Sequence, residues 1–344
     1  MKPNELSILV IGAGAIGGIT AAVLKRSGYD VEILVKYPDY ATMIENVGLN
    51  ITGARGNFVQ KMKAWSAVSP EIGKKDLILH ATKATDMTAV AREVLPLLKD
   101  DGLMVSMQNG ICEDELGKIT GPEKIVGCVV AWGGTMSGTG NLFMSSTGEF
   151  IIGYPDGRLD ERLGNISRIL ASIVPVKIST NIMGHLYAKL IINSCITIPG
   201  AISGLHVGEM LKKKKIRKIF IEIMQEAMAV AVKSGIKVEK FGDRLDFYSV
   251  VKNEGPIGDL KRHLLMRLIG FKYRKLRSSS LQSLERGKPT EVDFFNGYIA
   301  AKAKLHGVEV PVNDAIVRLI HEIEEGKRKI SLTNFNDPAF DRFN

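Results

Sequence analysis

An apolar segment near the start of the chain runs directly into a glycine-rich turn. Residues 6–11 are typical of a buried strand, and the pattern G-x-G-x-x-G follows at Gly12, Gly14 and Gly17. The first glycine permits a tight turn, the second lets the backbone approach a phosphate, and the third lets a helix lie close to the strand. Apolar residues at helical spacing follow in residues 16–24. The first N–H groups of this predicted helix are therefore free to bind an anion. The predicted dinucleotide-binding residues are Gly12, Ala13, Gly14, Ala15, Ile16 and Gly17.

The same segment raises the alternative of a secretory signal or membrane anchor, because residues 6–24 carry no charge. Glycines interrupt it, however, and no small-residue cleavage site leads into a polar start. Lys25, Arg26 and a second strand pattern follow at once, as a βαβ unit requires. No other segment is predicted to be long and apolar enough to span a bilayer, so we expect no membrane partner.

The composition is that of an ordinary globular chain: 344 residues, 45% of them hydrophobic and 24% charged. The net charge is +9, with Lys and Arg concentrated in residues 212–215 and 261–277. These runs lack a zinc-finger pattern, an RNP motif or interleaved aromatic residues, so we expect no nucleic-acid partner. Three cysteines without C-x-x-C spacing indicate a reducing, cytoplasmic compartment and no structural zinc.

Strands alternate with helices in the first half of the chain. The stronger strand predictions are residues 28–36, 76–82, 103–107, 125–130 and 150–152, with weaker segments at 48–52 and 56–63. One intervening helix is predicted to turn inward Val90, Val94, Leu97 and Leu98. The alternation predicts an α/β, Rossmann-type doubly wound sheet that is mainly parallel.

The pattern becomes helical after residues 175–181. Helices are predicted at residues 183–196, 216–234, 289–306 and 314–329, with almost no strand signal. We therefore divide the chain into a Rossmann-type domain at 1–178, an all-helical domain at 179–330 and a tail at 331–344. The tail has no periodicity and is expected to lie over the surface.

The end of the second strand bears on the choice of dinucleotide. NAD sites usually place an acidic residue there for the ribose 2′-hydroxyl, whereas this strand ends at Lys36. Glu32 lies inside the strand and is more typical of a half-exposed strand residue. A cation at Lys36 favours the 2′-phosphate of NADP, although an ordinary surface lysine would also fit. FAD shares the glycine pattern, but no second flavin motif is present.

Two more polar residues follow predicted strands. Lys83 and Asn109 would be unremarkable in loops, but they come after neighbouring strands, as do Gly12 and Lys36. Ligands bind outside the carboxyl ends of parallel strands, so we expect all four to face one crevice.

One largely apolar helix carries a polar stripe. His185, Lys189, Asn193 and Thr197 recur every four residues within a segment that is otherwise apolar around much of its circumference. Burying a lysine is energetically costly unless it has a partner, so an unpaired one is retained for a function. Burial also lowers the pKa of a lysine, which makes it a plausible proton donor near neutral pH. Snorkelling to the surface or structural pairing would equally account for Lys189.

Residues 289–297 (PTEVDFFNG) are predicted to open another helix. Thr290 is a candidate N-cap, or Pro289 occupies the first turn. Glu291 then lies in the first turn, where a carboxylate is favoured anyway. Upstream, residues 277–286 offer serine hydroxyls on a helix. The histidines show no metal-ligand spacing, so no metal site is expected.

Taken in order, these segments resemble the ketopantoate reductase family. The resemblance lies in residues 12–17, T82-K83-A84, Q108-N109-G110, K189-L-I-I-N193 and P289-T-E-V-D-F-F-N-G297, and covers nearly the whole chain. It implies NADPH-dependent reduction of ketopantoate (2-dehydropantoate) to (R)-pantoate, in the synthesis of pantothenate and coenzyme A. Hydride delivery to a ketone needs positioning and a proton donor rather than a metal.

The resemblance also implies a role for individual residues. Lys189 would protonate the developing alkoxide, and Glu291 would orient the substrate hydroxyl and the lysine. Asn193 would hold polar groups of the substrate, and Ser279 would contact its carboxylate. The further residues implied are Lys83 and Asn109, between nicotinamide ribose and substrate, and Thr197, in the substrate pocket.

The chain departs from the family pattern in two places. Thr197 stands where the family often has a second asparagine, and residues 255–277 are longer and more basic than in compact members. A different anionic 2-keto acid is therefore an alternative substrate, and a non-catalytic, cofactor-binding regulatory protein is an alternative of another class. The apolar faces of the helical domain are compatible with a homodimer.

Overall fold

The computed structural model describes residues 6–242, 245–252 and 255–344 and divides into two compact units. The first unit ends at Ile182 and the second begins at Met183. The first is α/β with a mainly parallel sheet and the second is helical, which confirms the predicted fold class. Residue 178, the predicted boundary, is the last residue of a strand in the first unit's sheet.

The main sheet of the first unit has eight strands in its described residues. In sheet order they are β12 (Val176–Ile178), β11 (Phe150–Gly153), β8 (Ile125–Val130), β7 (Leu98–Ser106), β6 (Lys75–His80), β1 (Ser7–Ile11), β2 (Asp30–Leu34) and β5 (Ala64–Trp65). All neighbours are parallel except β8 and β11, so the last two strands of the chain run against the other six. In β1, Ile8, Leu9 and Val10 are fully buried, as expected of a parallel strand covered on both faces.

Helices accompany this sheet. They are α1 (Ala15–Arg26), α2 (Pro38–Asn46), α3 (Ala84–Val94), α4 (Glu113–Thr120) and α5 (Glu161–Leu170). The predicted inward face of α3 was partly wrong. Its buried residues are Ala84, Met87, Ala91 and Val94. Leu97 and Leu98 are buried as predicted, but they lie beyond α3, in a 3₁₀ turn and at the start of β7, and Val90 is only half-buried. The α-helical period ends at Val94 and no longer applies to them.

A second sheet of four strands was only half predicted. In order it contains β4 (Phe58–Gln60), β3 (Leu49–Gly53), β10 (Asn141–Ser146) and β9 (Gly133–Gly138). The two weak segments of the sequence are β3 and β4. The β9–β10 hairpin escaped prediction because its glycines and serines are poor strand formers. Leu142 and Met144 nevertheless bury their side chains in the core shared with α1.

The helical unit contains eight α-helices among its described residues. They are α6 (Ile182–Ser203), α7 (Val207–Lys212), α8 (Lys214–Lys233), α9 (Phe247–Lys252), α10 (Gly255–Lys272), α11 (Ser279–Glu285), α12 (Asn296–His306) and α13 (Pro311–Glu324). Helix α12 begins at Asn296, not at Pro289 as predicted, because residues 292–294 form a tighter 3₁₀ turn. The N-cap of that turn is Glu291 and not the predicted Thr290, although the Thr290 hydroxyl accepts the N–H of Val292 at 3.2 Å.

Helix α6 corrects two predictions. It continues through Pro199 to Ser203, well beyond the predicted end at residue 196. At 22 residues it is also long and apolar enough to span a bilayer, contrary to the prediction from the sequence that no segment beyond residues 6–24 would be. Most of its apolar window, 78%, is buried inside the protein, as is typical of a core helix.

The C-terminal tail is not a surface appendage. Residues 331–344 form two short 3₁₀ turns, and Phe335, Phe340 and Phe343 are buried. Arg318 also pairs with Asp337 at 2.8 Å. The three phenylalanines follow neither a helical nor a strand period, so their inward orientation could not be seen in the sequence.

We expect Phe340→Ala to lower the free energy of unfolding by about 3–5 kcal/mol, because a fully buried aromatic side chain leaves a cavity when it is truncated. The measurement is urea unfolding followed by circular dichroism. Leu305→Ala, at a leucine that is 76% exposed on α12, is the matched control and should change the value by at most about 0.5 kcal/mol. Equal effects of the two substitutions would exclude the tail from the core.

Candidate functional site

The glycine turn after β1 has the geometry that the sequence predicted. Gly12 adopts φ +93°, and its N–H donates to the Leu34 carbonyl at 2.8 Å. A Cβ on Gly17 would lie 2.0 Å from the Gly12 carbonyl oxygen, so α1 can begin against the turn only with glycine at this position. The Tyr40 hydroxyl donates to the Ala13 carbonyl at 2.8 Å and fixes the turn from the other side.

The open side of this turn fits a pyrophosphate. Gly14 is the N-cap of α1 and is exposed, and a Cβ placed there would meet nothing within 4 Å. The first turn of α1, which is fully described, contains no acidic side chain that would oppose an anion. Unpaired N–H groups and the positive end of the helix dipole therefore face open space, which is the arrangement that binds dinucleotide phosphates.

Three predicted cofactor residues lie at the same edge of the sheet as this turn. Lys36 is exposed just beyond β2, and Lys83 is exposed between β6 and α3. Asn109 is half-buried in the loop after β7. Since β1, β2, β6 and β7 are parallel, their carboxyl ends meet at one edge, where ligands of such sheets bind.

Glu32 is engaged inside the sheet. Its carboxylate accepts a hydrogen bond from the Lys75 ammonium at 3.0 Å and another from the Trp65 indole N–H. These contacts agree with its interpretation as a strand residue. Lys36, two residues after the last residue of β2, is the charged side chain that follows this strand.

A buried polar network lies under the Asn109 loop and was missed by sequence reasoning. His80 and Ser106 are the last residues of β6 and β7 and pair in register. Gln108 contacts the His80 ring with its amide nitrogen and accepts from the Ser106 hydroxyl at 2.9 Å. Glu113, also buried, accepts the Cys112 N–H at 2.9 Å. Polar residues that terminate apolar strands were the available signal.

Burial shifts the pKa values of two network members in opposite directions. It lowers the pKa of His80 to about 4, which leaves its imidazole neutral at pH 7. It raises the pKa of Glu113 to about 7, against the opposing effect of hydrogen bonds from the backbone and Ser106. Burial therefore favours the neutral forms of both His80 and Glu113 beneath the loop that carries Asn109.

The polar stripe of α6 is present in the helical unit. His185 and Thr197 are buried, and Lys189 and Asn193 are half-buried. The side-chain nitrogen of Asn193 is buried without a hydrogen-bond partner among the described residues. An amide donor left in this state is costly in a finished core, so it is available for a ligand.

The N-terminus of α11 is tied to α6. The Ser278 hydroxyl donates to the Thr197 carbonyl at 2.5 Å and accepts the Leu281 N–H at 2.9 Å, which makes Ser278 the N-cap of α11. Ser279 follows directly and is exposed, so the structure brings Thr197 and Ser279 into one region. Ser280 is buried, with no partner for its hydroxyl among the described residues; sequence reasoning did not single it out.

The segment that contains Glu291 leads into a buried hydrogen-bond network. Glu291, half-buried, precedes the 3₁₀ turn at residues 292–294. Asn296 is fully buried and donates to the Asn313 side chain at 2.8 Å, and Asn313 in turn donates to Glu226 at 2.7 Å. The Glu226 carboxylate also accepts the N–H groups of Val312 and Asn313 in the first turn of α13. Asn296 therefore serves the packing of α12 and α13.

The first unit is thus a dinucleotide-binding module of the Rossmann type. The family profile "Ketopantoate reductase PanE/ApbA" matches residues 8–157, and the profile "Ketopantoate reductase PanE/ApbA C terminal" matches residues 181–324. Together they cover most of the chain, which belongs to the ketopantoate reductase family, a family of oxidoreductases. This confirms the family that the sequence motifs indicated.

Individual relatives extend over nearly the full length. The chain is 29% identical over 328 residues to 2-dehydropantoate 2-reductase of Pyrococcus abyssi, covering 94% of this chain and 100% of the relative. The crystal structure of a PanE/ApbA family ketopantoate reductase from Ralstonia eutropha JMP134 has a TM-score of 0.80 and 28% identity, covering 94% and 99% of the two chains. D-mandelate dehydrogenase, solved with NADH and anilino(oxo)acetate, shares the fold at a TM-score of 0.78 and 22% identity, covering 93% and 99%.

The buried network predicts two opposed pH dependences of stability. Below pH 6.5 the unfolded chain protonates His80 while the folded chain does not, so this residue lowers stability as the pH falls from 6.5 to 4. Between pH 4.5 and 7 the folded chain retains a proton on Glu113 that the unfolded chain has lost, so this residue lowers stability as the pH rises. Each slope reaches at most about 1.4 kcal/mol per pH unit.

We therefore expect substitution of one group to reveal the other, measured by urea unfolding between pH 4.5 and 6.5. Relative to the native chain, Glu113→Gln should become less stable as the pH falls, and His80→Gln should become less stable as the pH rises. Identical pH profiles of the two variants would contradict the assignment of these shifts.

Proposed function

We propose that this protein catalyses the NADPH-dependent reduction of 2-dehydropantoate to (R)-pantoate, a step in pantothenate and coenzyme A synthesis in the cytoplasm. The observation that carries the proposal is the α6 stripe, which sets the half-buried Lys189 one turn from Asn193 in a largely apolar helix; the Asn193 amide nitrogen is buried and has no partner among the described residues. Membership of the family and the open glycine turn support it. The three cysteines, all within the described residues, are buried and form no disulfide, which suits a reducing compartment.

The N-terminal unit would hold NADPH, which supplies the hydride when bound. The N–H groups at the start of α1 would bind the pyrophosphate, and the Lys36 ammonium would bind the 2′-phosphate. Lys83 and Asn109 would contact the nicotinamide ribose from the same edge of the sheet. Hydrogen bonds from Tyr40 to Ala13 and from Gly12 to Leu34 already order the turn. Cofactor binding would therefore cost little conformational entropy there.

The helical unit would supply the acid and the substrate contacts. Reduction adds a hydride to the keto carbon and a proton to its oxygen, and we assign that proton to the Lys189 ammonium. Glu291 would orient the substrate hydroxyl and the lysine. The substrate-binding residues of the proposal are Asn193, Thr197, Ser279 and Asn109.

The proposal is tested by following NADPH absorbance with 2-dehydropantoate and a panel of branched 2-keto acids. Saturable turnover that is strongest with 2-dehydropantoate is the expected result. Stronger turnover of another 2-keto acid would replace the substrate but not the chemistry. Thr197, in place of the asparagine frequent in the family, favours that second candidate. NADPH binding without turnover of any member would leave a regulatory cofactor-binding protein.

We expect Lys36→Ala to raise the dissociation constant of NADPH about 10- to 100-fold and to change that of NADH by at most about threefold. Only NADPH carries the 2′-phosphate that the ammonium would bind. Fluorescence titration with both cofactors gives the two dissociation constants. Lys118→Ala, at an exposed lysine on α4, is the matched control. Equal weakening of NADPH and NADH would exclude the 2′-phosphate contact.

We expect Lys189→Ala to lower kcat about 10²- to 10⁴-fold, the usual contribution of a positioned general acid, with the NADPH dissociation constant unchanged. Lys304→Ala, at an exposed lysine on α12, controls for loss of one positive charge. Turnover of Lys189→Ala at the rate of this control would remove Lys189 from the mechanism.

A further inference from the structure

Helix α10 exposes an unusual row of large apolar side chains. Ile257, Leu260, Leu264, Leu268 and Phe271 are each 57–73% exposed. Their spacing of three, four, four and three residues puts them on one face of the helix. We call these five residues the α10 stripe. Scattered exposed leucines are normal, but a contiguous row of this length marks an interaction surface.

The opposite face anchors α10 within the helical unit. Gly258, Arg262, Met266 and Gly270 are buried, and a Cβ on Gly270 would come within 2.8 Å of Leu211 on α7. Arg217 of α8 also donates to His263 at 3.1 Å. Because these contacts lie away from the α10 stripe, the stripe is not needed to hold the helix in place.

The sequence of the stripe is symmetric about Leu264. Reading outward, leucines stand four residues away on each side and Ile257 and Phe271 stand seven residues away. A twofold axis through Leu264 would therefore pair Leu264 with its copy, Leu260 with Leu268, and Ile257 with Phe271. Such self-complementarity is what an isologous interface requires.

We propose that the α10 stripe is the interface of a homodimer in which the two α10 helices pack antiparallel about Leu264. This proposal does not depend on the proposed reaction. It specifies the surface of the homodimer with which the apolar faces of the helical domain are compatible. Helices packed in this way lie 8–10 Å apart, close enough for the stripe side chains to interdigitate.

The flanking charges are compatible with this pairing but weaken it. Lys261 and Arg267 border the stripe on opposite sides, three residues before and after Leu264. The same twofold that pairs Leu260 with Leu268 brings Lys261 of one copy opposite Arg267 of the other, on the same side of the stripe. These two cations repel one another, and their exposed position lets salt screen the repulsion. Added salt should therefore strengthen the dimer.

The size of the patch sets its strength. The stripe runs for about 21 Å along a helix about 10–12 Å wide, which is well below the roughly 800 Å² per partner of a typical stable interface. Two further exposed apolar side chains, Tyr273 and Leu276, follow within four residues of the helix end. We expect a dimer that dissociates on dilution rather than an obligate one.

The first test is sedimentation of the full chain over a range of concentrations. The native chain should approach twice the monomer mass at high concentration, and Leu264→Glu should raise the dissociation constant at least about 100-fold, because it sets two carboxylates against each other on the axis. Leu305→Glu is the matched control, since Leu305 is an exposed leucine outside the stripe. A dimer unaffected by Leu264→Glu would overturn the proposal.

Single cysteines test the register, since the three native cysteines are buried. Leu264→Cys should form a disulfide-linked dimer on mild oxidation. Ile257→Cys alone should not, because its two copies would be about 21 Å apart, whereas the double variant Ile257→Cys/Phe271→Cys should cross-link. Cross-linking of Ile257→Cys alone as efficient as that of Leu264→Cys would replace the antiparallel pairing with a parallel one.

A chain that stays monomeric at every concentration would also overturn the proposal. Flotation with phosphatidylglycerol vesicles would then decide whether the apolar row and its cations serve an anionic lipid surface. Vesicle binding that weakens with salt would assign the stripe to lipid, in contrast to the salt-strengthened dimer.

Discussion

The contact of α1 with the turn at the end of β1 constrains the whole N-terminal unit. The helix starts where a Cβ on Gly17 would collide with the Gly12 carbonyl, so no side chain separates helix from strand. This places the first N–H groups of α1 directly above the carboxyl end of the central strand. The neighbouring strands β2, β6 and β7 are parallel to β1 and deliver Lys36, Lys83 and Asn109 to the same edge. A bulkier residue at Gly17 would displace the helix and the anion site together.

A buried polar network lies beneath that edge of the sheet and positions the loop above it. His80 and Ser106 end two apolar strands with polar groups that have no access to water, and Gln108 connects them. Each unsatisfied bond in such a place is costly, so the network favours one conformation of the following loop. The loop residue Asn109 is therefore positioned by chemistry that the ligand does not touch.

The sequence predicted what local period and glycine chemistry determine. The central strands, the glycine turn and α6 follow from apolar runs, from the G-x-G-x-x-G pattern and from a stripe repeated every four residues. It failed where tertiary contacts override local preference. The β9–β10 hairpin is rich in glycine yet pairs with β3, and Phe335, Phe340 and Phe343 are buried without any period. Helix α6 continues through Pro199 because its surroundings bury that segment.

The candidate site shows the same division. Residue types and spacing singled out Lys189 and Asn193, but only the structure shows that the Asn193 amide nitrogen is buried with no partner in the described part of the chain. In residues 289–297 the sequence could not separate Glu291, which is half-buried beside a 3₁₀ turn, from Asn296, which is bound to Asn313 and Glu226. The roles differ because one side chain retains access to solvent and the other completes a buried network.

Helix α10 and the residues that follow it connect two of the proposed surfaces. Helix α10 ends at Lys272, and the next residues lead to Ser278, whose hydroxyl binds the Thr197 carbonyl of α6. Between them, the Leu276 carbonyl accepts the Val207 N–H at the start of α7. A restraint on α10 is therefore transmitted over a few residues to the segment that carries Ser279. Packing of a second copy against the α10 stripe would therefore restrain the segment that carries the proposed carboxylate-binding Ser279.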